Sequence, residues 1–146
     1  MKHKEPKYFY HNIMLLDDDD LVNFINQKVM QSCHFSKTIY VNTSAKSALE
    51  FINNLSATGS EGKDLIPQVI FVDLNMPLMD GFQFIQTLLR NKNEDIQNTK
   101  LVILTSSVHE VDRIKAKEIS GNIEFLNKPL TKEMLDKLMV SPLETA

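Results

Sequence analysis

The chain's 146 residues amount to one domain, on a prior of about 100–200 residues per domain. With 42% hydrophobic and 24% charged residues it has a soluble globular composition, which excludes collagen, coiled coil and disorder. Sixteen basic against nineteen acidic side chains leave −3, so no basic excess exists to neutralise nucleic-acid phosphates.

Short apolar runs alternate with segments of helical period along the chain. Ile13-Met14-Leu15-Leu16 reads as a buried strand that stops at four consecutive acids, Asp17-Asp18-Asp19-Asp20. Val22, Ile25, Val29 and Met30 then fall on one face of a helix with an Asp-rich first turn. Thr38-Ile39-Tyr40-Val41 is a second strand, followed by a helical stripe of Ala45, Ala48, Leu49 and Ile52. The polar stretch 56–63 reads as a surface loop, closed by Pro67. A third strand, Val69-Ile70-Phe71-Val72, ends on Asp73. Pro77 and Gly81 punctuate the loop before a helix carrying Phe82, Ile85 and Leu89. The fourth strand, Leu101-Val102-Ile103-Leu104, ends on Thr105 and leads to a weakly amphipathic helix through Val108, Val111 and Ile114. The fifth, Ile123-Glu124-Phe125-Leu126, ends before Lys128-Pro129, and a last helix of about ten residues holds Met134, Leu135, Leu138 and Met139. Continuously apolar strands are expected where helices cover both faces of a parallel sheet, so the fold class is α/β, doubly wound. After the fifth strand there is room for one helix and no second domain.

The lone Cys33 excludes an internal disulfide. No apolar run approaches the ~20 residues that span a bilayer. Met1-Lys2-His3-Lys4-Glu5-Pro6 leads into no signal-peptide core, so a cytoplasmic location without membrane or nucleic-acid partners is expected. His3, His11, His34 and His109 show no ligand spacing, and the methionines read as core or loop filler. Lys2, Lys4 and Lys7 beside Tyr8, Phe9 and Tyr10 are too few for a binding arm, which leaves a flexible or packed extension.

Open parallel sheets bind ligands beyond the carboxyl ends of their strands. Those ends supply Asp17 and Asp18, Asp73, Thr105 with Ser106, and Lys128. Three neighbouring carboxylates repel by roughly 3 kcal/mol per pair at ~5 Å and a dielectric of ~20, which a cation must offset. All-oxygen ligands with open positions suit Mg²⁺, with Mn²⁺ as an alternative, while the run fails the calcium-loop pattern. With a Thr105 hydroxyl and a Lys128 ammonium, the set describes a phosphoryl pocket in which Asp73 attacks phosphorus. No Walker loop or GxGxxG is present to cradle a nucleotide.

Leu15-Leu16-Asp17-Asp18-Asp19, Val72-Asp73-Leu74-Asn75-Met76-Pro77-Leu78-Met79-Asp80-Gly81, Leu104-Thr105-Ser106 and Asn127-Lys128-Pro129 resemble the receiver domain of two-component response regulators, over about residues 12–140. The resemblance implies a flavodoxin-like (βα)5 sheet in strand order 2-1-3-4-5. It makes Asp17 and Asp18 the metal pair, Asp73 the phospho-accepting residue, and Asn75 the donor of a backbone carbonyl to the metal. It casts Thr105 and Phe125 as a coupled switch, Thr105, Ser106 and Lys128 as phosphoryl contacts, and Pro129 as a residue preceded by a cis bond. The family places an inward apolar residue four positions after its second acid; Asp18 plus four is Val22 and Asp19 plus four is Asn23, so the resemblance puts the pair at Asp17 and Asp18 and leaves Asp19 or Asp20 to cap the helix. Residues 1–11 form an N-terminal extension and 141–146 a tail. The extension, the longer polar loop and the short last helix depart from the family pattern.

The function implied is that of a single-domain response regulator. It takes a phosphoryl group from a sensor histidine kinase or a histidine phosphotransfer protein and signals through contact with another protein. Two alternatives differ in class. A receiver-shaped interaction module would take no phosphate. A phosphatase of the haloacid-dehalogenase type would carry its nucleophile on the first strand, as Asp-x-Asp, and its acid pair last.

Overall fold

The computed structural model describes residues 6–144, the side chains of residues 60 and 141–144 excepted. Five strands, β1 (Tyr10–Leu16), β2 (Ser36–Asn42), β3 (Val69–Val72), β4 (Lys100–Thr105) and β5 (Glu124–Asn127), form one parallel sheet in the order β2-β1-β3-β4-β5. This is the doubly wound architecture and strand order expected. Helices α1 (Asp20–Ser32), α2 (Ala45–Ala57), α4 (Gly81–Leu89), α6 (Glu110–Ile119) and α7 (Lys132–Glu144) cover it. Two single turns, α3 (Ser60–Lys63) and α5 (Glu94–Gln97), lie between.

Strand side chains alternate between faces, so each covered face has its own core. Ile13, Leu15, Phe71, Val102 and Leu104 pack with Met30 of α1 and Leu135 and Leu138 of α7. Met14, Leu16, Ile70, Val72 and Ile103 pack on the other face with Ala48 and Ile52 of α2 and Phe84, Ile85 and Leu88 of α4. Val72 pairs with both Leu16 and Ile103; β4 runs two residues further, to Thr105, whereas β1 and β3 finish level with one another. Their next residues therefore emerge side by side.

Several local expectations are corrected. The stretch 56–63 is not a plain loop: α2 runs to Ala57 and α3 follows. The last helix has 13 residues, extending into 141–144, which had been read as tail. On α4, Phe84 and Leu88 point inward while Leu89 is exposed, because the helix starts on the Asp80 cap with a reciprocal Gln83 bond and that phase sets its inner face. On α1, Ile25 faces solvent and the inner face holds Asn23, Asn26 and Met30. Val108 precedes α6 and is exposed; on the helix itself Val111 and Ile114 are exposed and the one fully buried side chain is Ala116. Residues 9 and 10 are tied to the domain although Tyr8, Phe9 and His11 are exposed: Phe9 and Tyr10 donate backbone N–H bonds to His34 and Phe35, and edge-to-face rings run from half-buried Tyr10 through Phe35 to Phe71. Lys2, His3 and Lys4 lie outside the described residues.

Candidate metal and phosphoryl site

The level strand ends bring the acids together. The Asp73 backbone N–H donates to the Leu16 carbonyl at 2.9 Å, which sets Asp73 beside Asp17. Asp17 and Asp73 are each 5% exposed, whereas Asp18 is exposed. One carboxylate oxygen from each of the three lies within 4.8 Å of the others. Lys128 reaches in from the end of β5, its Nζ 2.6 Å from Asp17 Oδ2 and 3.3 Å from Asp73 Oδ1. Its backbone N–H donates to the Thr105 carbonyl at 2.8 Å, which ties the end of β5 to that of β4. The Lys128–Pro129 peptide bond is cis.

The acid run divides its work. Asp19 is the N-cap of α1, its side chain accepting from the N–H groups of Leu21 and Val22, and Asp20 is the first helical residue. The Asp19 N–H donates to Asp17 Oδ1 at 2.9 Å, which fixes the Asp17 carboxylate. Val22 is half-buried, and it is Asn23 that the helix places fully inside. Behind Asp73, α4 approaches so closely that a Cβ on Gly81 would sit 2.5 Å from the Asp73 carbonyl oxygen. No residue with a side chain fits there without moving the backbone of Asp73.

Electrostatics make the pocket cation-hungry. Burial first, and the Asp17 charge second, push the Asp73 carboxyl above the usual carboxylate range, with Lys128 opposing them. For Lys128, burial acts downward, but the hydrogen bond to Asp17 and the Asp73 and Asp17 charges outweigh it and hold the ammonium above its ordinary value. Three carboxylates against one ammonium leave two negative charges, the charge a divalent cation neutralises. The donor set is all oxygen and the pocket opens to water on the Asp18 side, which fits Mg²⁺ or Mn²⁺.

Thr105 is fully buried at the end of β4, with its hydroxyl accepting the Ser107 N–H at 3.1 Å; Ser106 and Asn75 are exposed. Sequence reasoning missed the network around Thr105. Asn127 donates to the carbonyls of Ser107 (2.6 Å) and Thr105 (3.4 Å) and accepts from Arg113 Nη2 at 3.2 Å. The Arg113 guanidinium also lies 4.6 Å over the ring of half-buried Phe125. Asn127 directly precedes Lys128-Pro129, so a polar residue ahead of the lysine is its available signal. Arg113 carried none.

The fold and the site define a class: an open parallel α/β domain with an acidic pocket, closed by a lysine, at the point where strand order reverses. Over residues 13–139 the sequence matches the family described as the response regulator receiver domain, and the chain belongs to that family. A receiver domain is a signalling phospho-acceptor of two-component systems rather than a catalytic enzyme, which sets aside the phosphatase alternative. A two-component response regulator from Cytophaga hutchinsonii is 29% identical, with a TM-score of 0.80 over 94% of this chain and 99% of that one. The sensor histidine kinase CheAY of Helicobacter pylori is 30% identical over 123 residues, 84% of this chain, and the chain spans 14% of that protein's length. The Mn²⁺-bound form of the response regulator Rcp1 shares the fold, with a TM-score of 0.67 at 24% identity over 93% of this chain and 96% of that one. Among the described residues no helix is long and apolar enough to cross a membrane.

Proposed function

We propose that the protein accepts a phosphoryl group on Asp73 from a phosphohistidine donor, in a Mg²⁺-dependent reaction, and signals in the cytoplasm by phosphorylation-dependent contact with another protein. The observation that carries this reading is one buried carboxylate, Asp73, held at a central strand end between a lysine and two further acids. A carboxylate oxygen of Asp73 attacks phosphorus in line as the P–N bond of the donor breaks. The imidazole nitrogen keeps the bonding pair and takes up a proton. Asp17, Asp18, Asp73 and the Asn75 carbonyl would hold a divalent cation, which when bound would neutralise the transferring charge. Lys128 pairs with one phosphoryl oxygen, and Thr105 and Ser106 hydrogen-bond others. The test is intact mass after incubation with Mg²⁺ and a small acyl phosphate. One phosphoryl adduct supports the reading, and its absence with several donors favours the module that takes no phosphate.

A protein donor, either a sensor histidine kinase or a phosphotransfer protein, is supported by α1, which presents Leu21, Phe24 and Ile25 to solvent at 65%, 56% and 49% exposure next to the acids. Removing such an apolar anchor costs about 1–3 kcal/mol of binding, roughly fivefold to a hundredfold in transfer rate. Phe24→Asp is therefore expected to slow transfer from the cognate phosphohistidine protein while leaving phosphorylation by a small donor unchanged. Equal slowing with both donors would show that Phe24 acts on the fold and not on docking.

Phosphorylation is further expected to draw the Thr105 hydroxyl from the Ser107 N–H toward the phosphoryl group and to reorient Phe125, lifting its ring from Arg113. NMR of the Phe125 ring reads this directly. Spectra that coincide with and without a phosphate mimic would rule the coupling out. Arg113→Ala removes a cation–π contact of about 0.5–1 kcal/mol and is expected to move the unphosphorylated Phe125 signals toward their phosphorylated positions.

A further inference from the structure

The inner face of α1 carries two asparagines where a buried helix face ordinarily carries apolar residues. Asn23 is 2% exposed and Asn26 5%. The Nδ2 of Asn23 donates to the Asp17 carbonyl at 2.8 Å, which orients the amide; its Oδ1 is buried and meets no partner among the described residues. A native buried polar atom without a partner calls for one, because desolvation of that group is otherwise uncompensated. The amide borders a pocket of about 10 Å³ beneath the acids, walled by Asn23, Asn26, Asp17, Asp73, Phe71 and Leu104.

Size and chemistry select the occupant. About 10–15 Å³ of this kind of space is what one water requires, together with two to four polar partners. A divalent cation keeps several of its own waters, and a space for a single water does not admit that shell. Both Asp17 carboxylate oxygens are already engaged, Oδ1 by the Asp19 N–H and Oδ2 by Lys128, and Lys128 also holds Asp73 Oδ1. Asp73 Oδ2 is left without a protein donor among the described residues.

We propose that this pocket is a binding site for one ordered water that bridges Asn23 Oδ1 to the Asp73 carboxylate, with Asn26 as its third partner. The water gives one hydrogen to Asn23 Oδ1 and the other to Asp73 Oδ2, and accepts from the Asn26 amide. With Lys128 on Oδ1 and the water on Oδ2, the plane of the Asp73 carboxylate is fixed from below. Asn23 is then a positioning residue for the phosphoryl acceptor. This last step rests on the reading of Asp73 given above; the water site itself does not.

The test has two arms. In a high-resolution crystal structure of the whole chain, one water is expected within about 3.2 Å of Asn23 Oδ1, and a dry or collapsed pocket overturns the proposal. In solution, Asn23→Leu fills the pocket with hydrocarbon and is expected to slow Mg²⁺-dependent phosphorylation by acetyl phosphate about fivefold or more. Asn23→Ser keeps a hydroxyl and leaves room for water, and is expected to recover most of that rate. A folded Asn23→Leu protein phosphorylated at the wild-type rate overturns the positioning role. Should that variant fail to fold, Asn26→Val is the substitute, with the same two outcomes. If the wild-type protein takes no phosphate at all, the reading of Asp73 fails, and the crystal structure alone decides whether the water is there.

Discussion

Asp73→Asn is expected to abolish the phosphoryl adduct completely and, in the absence of divalent cation, to make the fold more stable. The adduct is lost because an amide oxygen does not attack phosphorus to form an acyl phosphate. Stability rises because the Asp73 charge is net unfavourable where it lies. Repulsion from Asp17 and Asp18 within 4.8 Å is at least about 3 kcal/mol each at a dielectric of ~20, against about 5 kcal/mol of attraction to Lys128. A gain of about 1–2 kcal/mol in urea unfolding is the expected size. Its pH dependence has a definite sign. The Asp73 carboxyl is held above the usual range in the folded protein, so between its unfolded and folded values the folded state binds the extra proton. Asp73 therefore destabilises the fold above its folded value, and this penalty fades as pH falls through that value toward the ordinary carboxylate range. The advantage of Asp73→Asn over wild type is thus largest at neutral pH and shrinks on acidification. An advantage that grows on acidification would show that Lys128 more than compensates the two acids.

Lys128→Met is expected to act in the opposite direction. It keeps the length of the stem and removes the only ammonium bonded to Asp17 and Asp73 among the described residues. Breaking a buried pair from one side costs about 3–5 kcal/mol, and the 20% exposure of this side chain lowers the figure to about 2–3 kcal/mol. Mg²⁺ is expected to restore more stability to the variant than it adds to wild type, because the cation meets three uncompensated carboxylates. Urea midpoints with and without Mg²⁺ measure both effects. A variant with an unchanged midpoint would mean that the acids rest on other donors. Together the two substitutions describe a site assembled at the expense of the fold and balanced by one lysine.

How much of this was legible beforehand depended on which physical signal each residue carried. Three strands announce themselves as unbroken apolar runs, and candidate site residues stand where those runs stop, at Asp17, Asp73 and Thr105, with Lys128 just past the fifth strand. Helix faces were harder to read. Counting apolar residues at helical spacing assumes that the apolar face is the buried one, and two helices break that assumption. On α1 the inner face meets the acids, so Asn23 and Asn26 turn inward while Phe24 and Ile25 face solvent. On α6 the helix covers an edge strand with little surface to bury against. The single turn α5 was too short for any period to show, although Asn93 capping Asp95 and Ile96 is a readable start signal. The Thr105–Asn127–Arg113 network escaped because hydrogen bonds between residues far apart in the chain leave no pattern in it.

Helix α6 has a further consequence. Its one fully buried side chain is an alanine, its N-cap residue His109 makes no side-chain cap bond, and besides Ala116 and half-buried Ile119 it is held by Arg113, over Phe125 and bonded to Asn127, and by Lys115 over Phe82. Each such cation–π contact contributes about 0.5–1 kcal/mol, far below the global stability of a domain this size. The amide protons of α6 are therefore expected to exchange through local opening at a small free energy, and those of the central strands only on unfolding of the whole, in native-state hydrogen exchange. A region with so shallow a well is rearranged by one new contact of a kilocalorie or two, and the rest of the sheet need not move at all.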